Sequence, residues 1–194
     1  MNNPCKIKLF PFVSLDGFVS RMDGDIDWLL EYPRPADGDY GYRRFLRSAA
    51  CVVMSGIFYT LLDSYDIWPF SGLTCHVITP KRFVHPPGRN IRFITSEGMD
   101  SPEVISHIEG IRQQSRGDVW MAGGGELIAP LMERGLVDEI TLNIVPVTLG
   151  TGISLFNRNG KERQWAPGSI QKYDNGVIQA KYTVNRDLQK GATH

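Results

Sequence analysis

Three consecutive glycines, Gly123-Gly124-Gly125, carry the strongest chemical signal in the chain. They follow the strand-like run Asp118-Val119-Trp120-Met121-Ala122 and open a helical stretch from about Glu126 to Arg134. Glycine lets backbone N–H groups approach a ligand closely, and a helix start adds unpaired donors and positive potential. That combination suits a pyrophosphate. The Rossmann spacing would need a small residue where Ile128 stands, so this is not the ordinary dinucleotide turn. A plain strand-to-helix connection with no ligand is the other reading. A second cluster, Thr79-Pro80-Lys81-Arg82, follows the short run Cys75-His76-Val77-Ile78. A hydroxyl and two cations just past a parallel strand's carboxyl end can hold a phosphate. Taken alone, the cluster reads better as a solvated loop.

The remaining reactive side chains give weaker signals. Cys5, Cys51 and Cys75 fit no metal-ligand spacing, and no metal is expected. Cys51 and Cys75 lie in apolar runs and read as buried free thiols, which suits a reducing, cytoplasmic setting. His76, His85 and His107 show no partner spacing and read as incidental. Asp138 and Glu139 read as the end of a turn and the start of a strand.

These residues need a scaffold. Lys6 to Val13 reads as a first strand with Pro11 at an edge or bulge, closed by the turn Ser14-Leu15-Asp16-Gly17. Arg21 to Asp39, rich in Asp, Gly and Pro, reads as a long functional loop with one helical turn around Trp28-Leu29-Leu30. A short helix follows over Tyr40 to Arg47, with Phe45 and Leu46 inward. Buried strands are expected at Cys51–Met54, Cys75–Ile78 and Ile91–Ile94, with a helix from Ile57 to Leu62. Ser101-Pro102-Glu103 is a helix start, and Val104, Ile105, Ile108 and Ile111 continue at helical spacing. Gly135 ends the helix after the glycines. Asp138 to Val147 is a long alternating strand, and Asp174-Asn175-Gly176 turns a hairpin between Ser169–Tyr173 and Val177–Val184.

Strands and helices alternate as far as Val147, which predicts an α/β fold. Its sheet should be mostly parallel, with helices on both faces and an antiparallel edge at the C-terminus. The 194 residues suit one domain, with a short flexible tail from about residue 187. Lys and Arg total 21, as do Asp and Glu, so a generally basic nucleic-acid binder is excluded. No secretory leader and no apolar run long enough to cross a bilayer is visible.

Several motifs together resemble a known family. Val119-Trp120-Met121-Ala122-Gly123-Gly124-Gly125-Glu126-Leu127, Gly135-Leu136-Val137-Asp138-Glu139 and Val145-Pro146-Val147-Thr148-Leu149-Gly150-Thr151-Gly152 with Leu155-Phe156 resemble the reductase domain of bifunctional riboflavin-biosynthesis proteins. More broadly they resemble the dihydrofolate-reductase-like superfamily, with Ser14-Leu15-Asp16-Gly17 matching its first-strand motif. The resemblance implies a sheet of about eight strands, a homodimer, a small-molecule substrate and NADPH as hydride donor. It places the cofactor's pyrophosphate on Gly123, Gly124, Gly125, Glu126 and Leu127, beside Ser55. Thr79, Lys81 and Arg82 would face its 2′-phosphate. Val13 and Ser14 would lie near the nicotinamide, and Gly17 to Trp28 would close over it. Asp39, or else Asp16, would be the acid. The residues themselves also allow an N-cap at Asp39 and a turn former at Asp16. Three departures stand out. The family's Gly-Arg-x-Thr-Tyr motif is replaced by Ser55-Gly56-Ile57-Phe58-Tyr59, which loses an arginine and a threonine from the phosphate site. Pro130 falls inside the helix after the glycines, so that helix is expected to start late or kink. No deaminase domain is expected ahead of the reductase-like one. The implied activity is reduction of a small heterocycle or a ribosylamino-pyrimidine. The alternative is a non-catalytic relative that binds another ligand or nucleotide.

Overall fold

A computed structural model describes residues 5–36, 38–156 and 162–185. The first strand breaks in two, β1 (Ile7–Leu9) and β2 (Phe12–Ser14). Pro11 has no N–H for a ladder, and its carbonyl instead accepts from both the backbone N–H and the side-chain Nδ2 of the fully buried Asn143. Then come β3 (Phe18–Ser20), α1 (Asp27–Leu30), α2 (Tyr42–Ser48), β4 (Ala49–Ser55) and α3 (Gly56–Ser64). β5 (Thr74–Thr79), β6 (Ile91–Thr95), α4 (Pro102–Gln114), β7 (Asp118–Ala122) and α5 (Gly125–Glu133) follow. The chain ends its described part with β8 (Glu139–Val145), β9 (Ile153–Ser154), β10 (Trp165–Lys172) and β11 (Ile178–Val184).

Nine strands form one mixed sheet in the order β10-β11-β8-β1-β7-β4-β5-β6, with β2 continuing beside β8. The pairs from β8 through β6 are parallel, and β8-β11-β10 is the antiparallel edge. Successive residues of β4 serve opposite faces. Val53 packs with Val104, Ile108, Leu127 and Leu131 of α4 and α5. Val52 and Met54 pack with Tyr59 and Leu62 of α3 and with the inward Phe45 and Leu46 of α2. This period-two alternation is what a central strand with helices on both sides requires.

Helix boundaries follow from local chemistry. The Ser101 hydroxyl accepts from the Val104 N–H, and Pro102 occupies the first turn of α4. Past α5, the Leu136 and Gly135 N–H groups reach the Leu131 and Met132 carbonyls, with Gly135 at φ +68. That is a Schellman ending, which only a residue tolerant of the left-handed region closes without strain.

Three expectations are corrected. β6 is an edge strand with only Ile91 buried, because β5 lies on one side of it and no described strand pairs with the other. The late start expected of α5 as one alternative is overturned, since the helix begins directly on the glycines with Pro130 inside it, where the missing N–H removes a single helical bond. The loop from Gly17 contains a strand, β3, paired with the two-residue β9. The expected tail from about residue 187 lies outside the described residues. No described helix is long and apolar enough to cross a membrane.

Candidate functional site

The carboxyl ends of β4, β5 and β7 open on one side of the sheet, where the chain turns into α3, the Pro80 loop and α5. A cavity of about 900 Å³ lies there. Its walls are the start of α3 (Gly56, Ile57), the end of β5 (Thr79) with the loop after it (Lys81), and the first turns of α5 (Glu126, Pro130). The turn Asp23-Gly24-Asp25 covers it, and Glu97 with Asp100 from the β6–α4 connection closes the far side.

Close approach fixes the two helix starts. A Cβ added at Gly56 would lie 2.5 Å from Thr79 Oγ1 and 2.6 Å from Thr79 Cβ, so α3 can sit on β5 only with glycine there. At Gly123 an added Cβ would come 3.3 Å from Ser55 Oγ, which brings the glycine turn against the start of α3. Ser55 is fully buried. Its hydroxyl accepts from the Phe58 N–H at 3.2 Å and donates to Glu126 Oε1 at 2.9 Å.

The expected cofactor residues divide into two groups. Thr79, Lys81 and Glu126 line the cavity, and Ser55 and Gly123 stand directly behind it. Thr79 is 2% exposed, and its hydroxyl accepts from the Lys81 N–H at 3.1 Å, shaping the turn that presents Lys81. Gly124 caps α5 and Gly125 begins it; the Leu127 N–H reaches the Gly124 carbonyl, and the Gly125 and Glu126 N–H groups are left with no partner inside the helix. Leu127 is fully buried among Ile128 and Leu131, so its side chain holds α5 to the sheet. Arg82 is exposed and not part of the cavity wall. Val13 and Ser14 end β2 beside β8, away from that wall. The Ser14 hydroxyl donates to Asp16 Oδ1 and accepts from the Phe18 N–H, while Gly17 turns at φ +85.

Neither candidate acid is idle. Asp16 accepts from the Leu149 and Gly150 N–H groups, tying the first turn to the Leu-Gly-Thr-Gly stretch. The Ser14 hydroxyl and then those amides hold its carboxyl below the ordinary range, which favours a structural carboxylate over an acid at neutral pH. Asp39 accepts from the Gly41 and Arg43 N–H groups, so it shapes the start of α2 from outside the helix.

The reading of the histidines changes, whereas Glu139 starts β8 with Asp138 just before it, as expected. His76 and His107 are partners, with Nδ1 and Nε2 3.2 Å apart between β5 and α4. Asp138 accepts from the Ile7 N–H and pairs with Arg112 at 3.1 Å. Glu139 is buried among Lys6, Lys8 and Lys181. Both acids lock β1 and β11 to β8 at the end of the sheet opposite the cavity. Cys51 and Cys75 are buried and free, and burial pushes their thiols up to about 11 and about 12.

The backbone donors of α3 and α5, with Lys81 nearby, form a donor set suited to a pyrophosphate-bearing ligand. The acidic wall was not legible in the sequence. Asp23, Asp25, Glu97 and Asp100 come from two separate loops, and no spacing relates them.

A doubly flanked sheet with this connectivity and a glycine turn at its carboxyl edge is a dihydrofolate-reductase-like fold. Residues 90–179 match the family model of the RibD C-terminal domain. The uncharacterized protein YwjB of Bacillus subtilis (strain 168) is 31% identical over 153 residues, covering 78% of this chain and 83% of YwjB. The chain belongs to the RibD C-terminal domain family. Among solved structures, a Shewanella sp. PV-4 protein assigned by its name to riboflavin biosynthesis superposes with a TM-score of 0.78 at 20% identity, over 93% of this chain and 99% of that one. The dihydrofolate reductase of Enterococcus faecalis, complexed with NADP(H), gives 0.58 at 10% identity, over 93% and 96%.

Proposed function

We propose that the chain is an NADPH-dependent reductase of a small heterocyclic or ribosylamino-pyrimidine substrate. It would work in the manner of 5-amino-6-(5-phosphoribosylamino)uracil reductase or dihydrofolate reductase. The observation that carries this reading is the convergence of two helix starts and Lys81 on one cavity at the carboxyl edge of the sheet. Family membership and a fold shared with a reductase complexed with NADP(H) support it.

When bound, NADPH supplies a hydride for a C=N or C=O carbon of the substrate. The protein's part is to position, to exclude water and to provide a proton. First-turn N–H groups of α3 and α5 would hold the pyrophosphate, and Lys81 would pair with the 2′-phosphate. The turn Asp23-Gly24-Asp25 would limit water entry. Neither acid lines the cavity, and Asp16 is held ionised by its partners, so of the two Asp39 is left to deliver a proton, through a water.

The acidic wall gives a second reading some weight. Four carboxylates beside Glu126 against one lysine would also suit a relative that binds a less anionic ligand. Titration of the purified protein with NADPH and NADH, followed by fluorescence and melting temperature, separates the two. The reductase reading expects saturable NADPH binding, weakened about tenfold or more by Lys81→Ala, since a charge-assisted hydrogen bond contributes about 1.5–3 kcal/mol. Absence of nicotinamide binding at millimolar concentration would favour the other ligand.

A further inference from the structure

We infer that Glu126 sets the affinity of the cleft for phosphate-bearing ligands by standing, as an internal anion, where their phosphates would bind. The inference rests on the dinucleotide reading above. α3 and α5 are each 9 residues long, and their starts meet across Ser55 and Gly123. Each start presents amides unpaired within its helix and the positive end of a helix dipole. Between them lies the Glu126 carboxylate. Its Oε1 accepts the proton of the buried Ser55 hydroxyl at 2.9 Å, and its Oε2 is folded back against Gly124, where a Cβ would overlap it. Ser55 belongs to α3 as its cap, so one carboxylate in the first turn of α5 bridges both starts.

The other charges facing the cavity do not offset this anion. Asp23, Asp25, Glu97 and Asp100 add negative charge, and among the described lining residues Lys81 alone is positive. A phosphate arriving at the helix starts must therefore break the Ser55–Glu126 hydrogen bond and turn the carboxylate outward. Until it does, two negative charges stand at short range beside the same helix starts. The cost applies to any ligand with a phosphate at this point, with or without a 2′-phosphate. It does not apply to a nucleoside. The same carboxylate also favours α5 in the empty protein, because an acid in the first turn complements the dipole. Removing its charge should thus move apo stability and phosphate affinity in opposite directions, which a purely structural acid would not do.

The test uses Glu126→Gln, which keeps an oxygen for Ser55, and Glu126→Ala, which removes the group. Melting temperature of the free proteins is measured alongside dissociation constants for NADPH, ADP and adenosine at low and high salt. The expected result is a slightly lower apo melting temperature in both variants. NADPH and ADP should bind about tenfold more tightly, with the gain shrinking at high salt, and adenosine should be unaffected. Wild-type binding of NADPH with equal or weaker binding by both variants would overturn the inference and leave the reductase reading standing. Equal tightening for adenosine would overturn it too, by showing that shape rather than charge is at work. If none of the three proteins binds NADPH at millimolar concentration, both readings fall together.

Discussion

His76 is 5% exposed, and its ring meets His107 across the contact between β5 and α4. A neutral pair satisfies this geometry, one ring donating and the other accepting. Burial, then the charge of His107, then Arg92 push His76 from its ordinary 6.5 down to about 4, and burial also lowers His107. The sign follows from comparing the two states. Above pH 6.5 neither folded nor unfolded His76 holds a proton, so its contribution is complete. Between 6.5 and 4 the unfolded chain takes up a proton that the folded protein refuses, and stability falls. The size is about 3 kcal/mol, at 1.36 kcal/mol for each unit of difference. Urea midpoints measured from pH 7.5 to 4.5 should decline over that window, and His76→Gln should flatten much of the decline. Parallel curves for the two proteins would remove His76 as the cause. No spacing announces such a pair, because the partners stand 31 residues apart on different elements. Glu126 shows the same blindness in another form. Its position at a helix start was readable, but its carboxylate meets Ser55 across 71 residues of chain.

Elements whose signals are local were legible. Ser101-Pro102-Glu103 starts α4 and Gly135 ends α5, because caps act within a few residues of themselves. Elements defined by a distant partner were not. β9 has two residues and exists through its pairing with β3, and β6 is an edge for reasons of topology rather than composition. The split between β1 and β2 was half visible in Pro11, whereas Asn143, which closes it, lies 132 residues away. Gly56 shows what this means for the site. In the sequence Gly56 reads only as a departure, standing where the family motif has its arginine, and its necessity comes from Thr79 on the neighbouring strand. Gly56→Ala would place a Cβ well inside contact distance of the Thr79 side chain and drive α3 from β5. Overpacking of this kind costs about 1–3 kcal/mol. A chemical-denaturation midpoint lowered by that amount, together with weaker NADPH binding, is expected. Gly56→Ser should behave alike, since the obstacle is the β-carbon itself. An unchanged midpoint would mean that the helix start has room that the structure does not show.

Across the whole molecule, the cavity is assembled from parts that the sheet keeps rigid and one part that it does not. β4, β5 and β7 fix the floor through adjacent parallel pairings. The cover comes instead from the turn at Asp23-Gly24-Asp25, which hangs between β3 and α1. Its base is held by Arg21 and Asp27 at 2.7 Å and by the Arg21 N–H on the Asp25 carbonyl. Its tip reaches across to α3, where the Tyr65 hydroxyl donates to Asp25 Oδ1 at 2.9 Å. This bond ties the turn to the end of α3 across the cavity, and it is exposed to solvent. An exposed bond adds little to global stability, because water replaces it when it breaks. It can still govern how often the cover opens, since opening needs only this contact and not the sheet. Tyr65→Phe should therefore leave the melting temperature of the free protein nearly unchanged while NADPH dissociates several-fold faster. Stopped-flow displacement of bound NADPH measures the rate directly. A variant with native dissociation kinetics would show that the turn stays in place through Arg21 and Asp27 alone. Slower dissociation would place the Tyr65–Asp25 bond in the open form, with the turn closing only after it breaks.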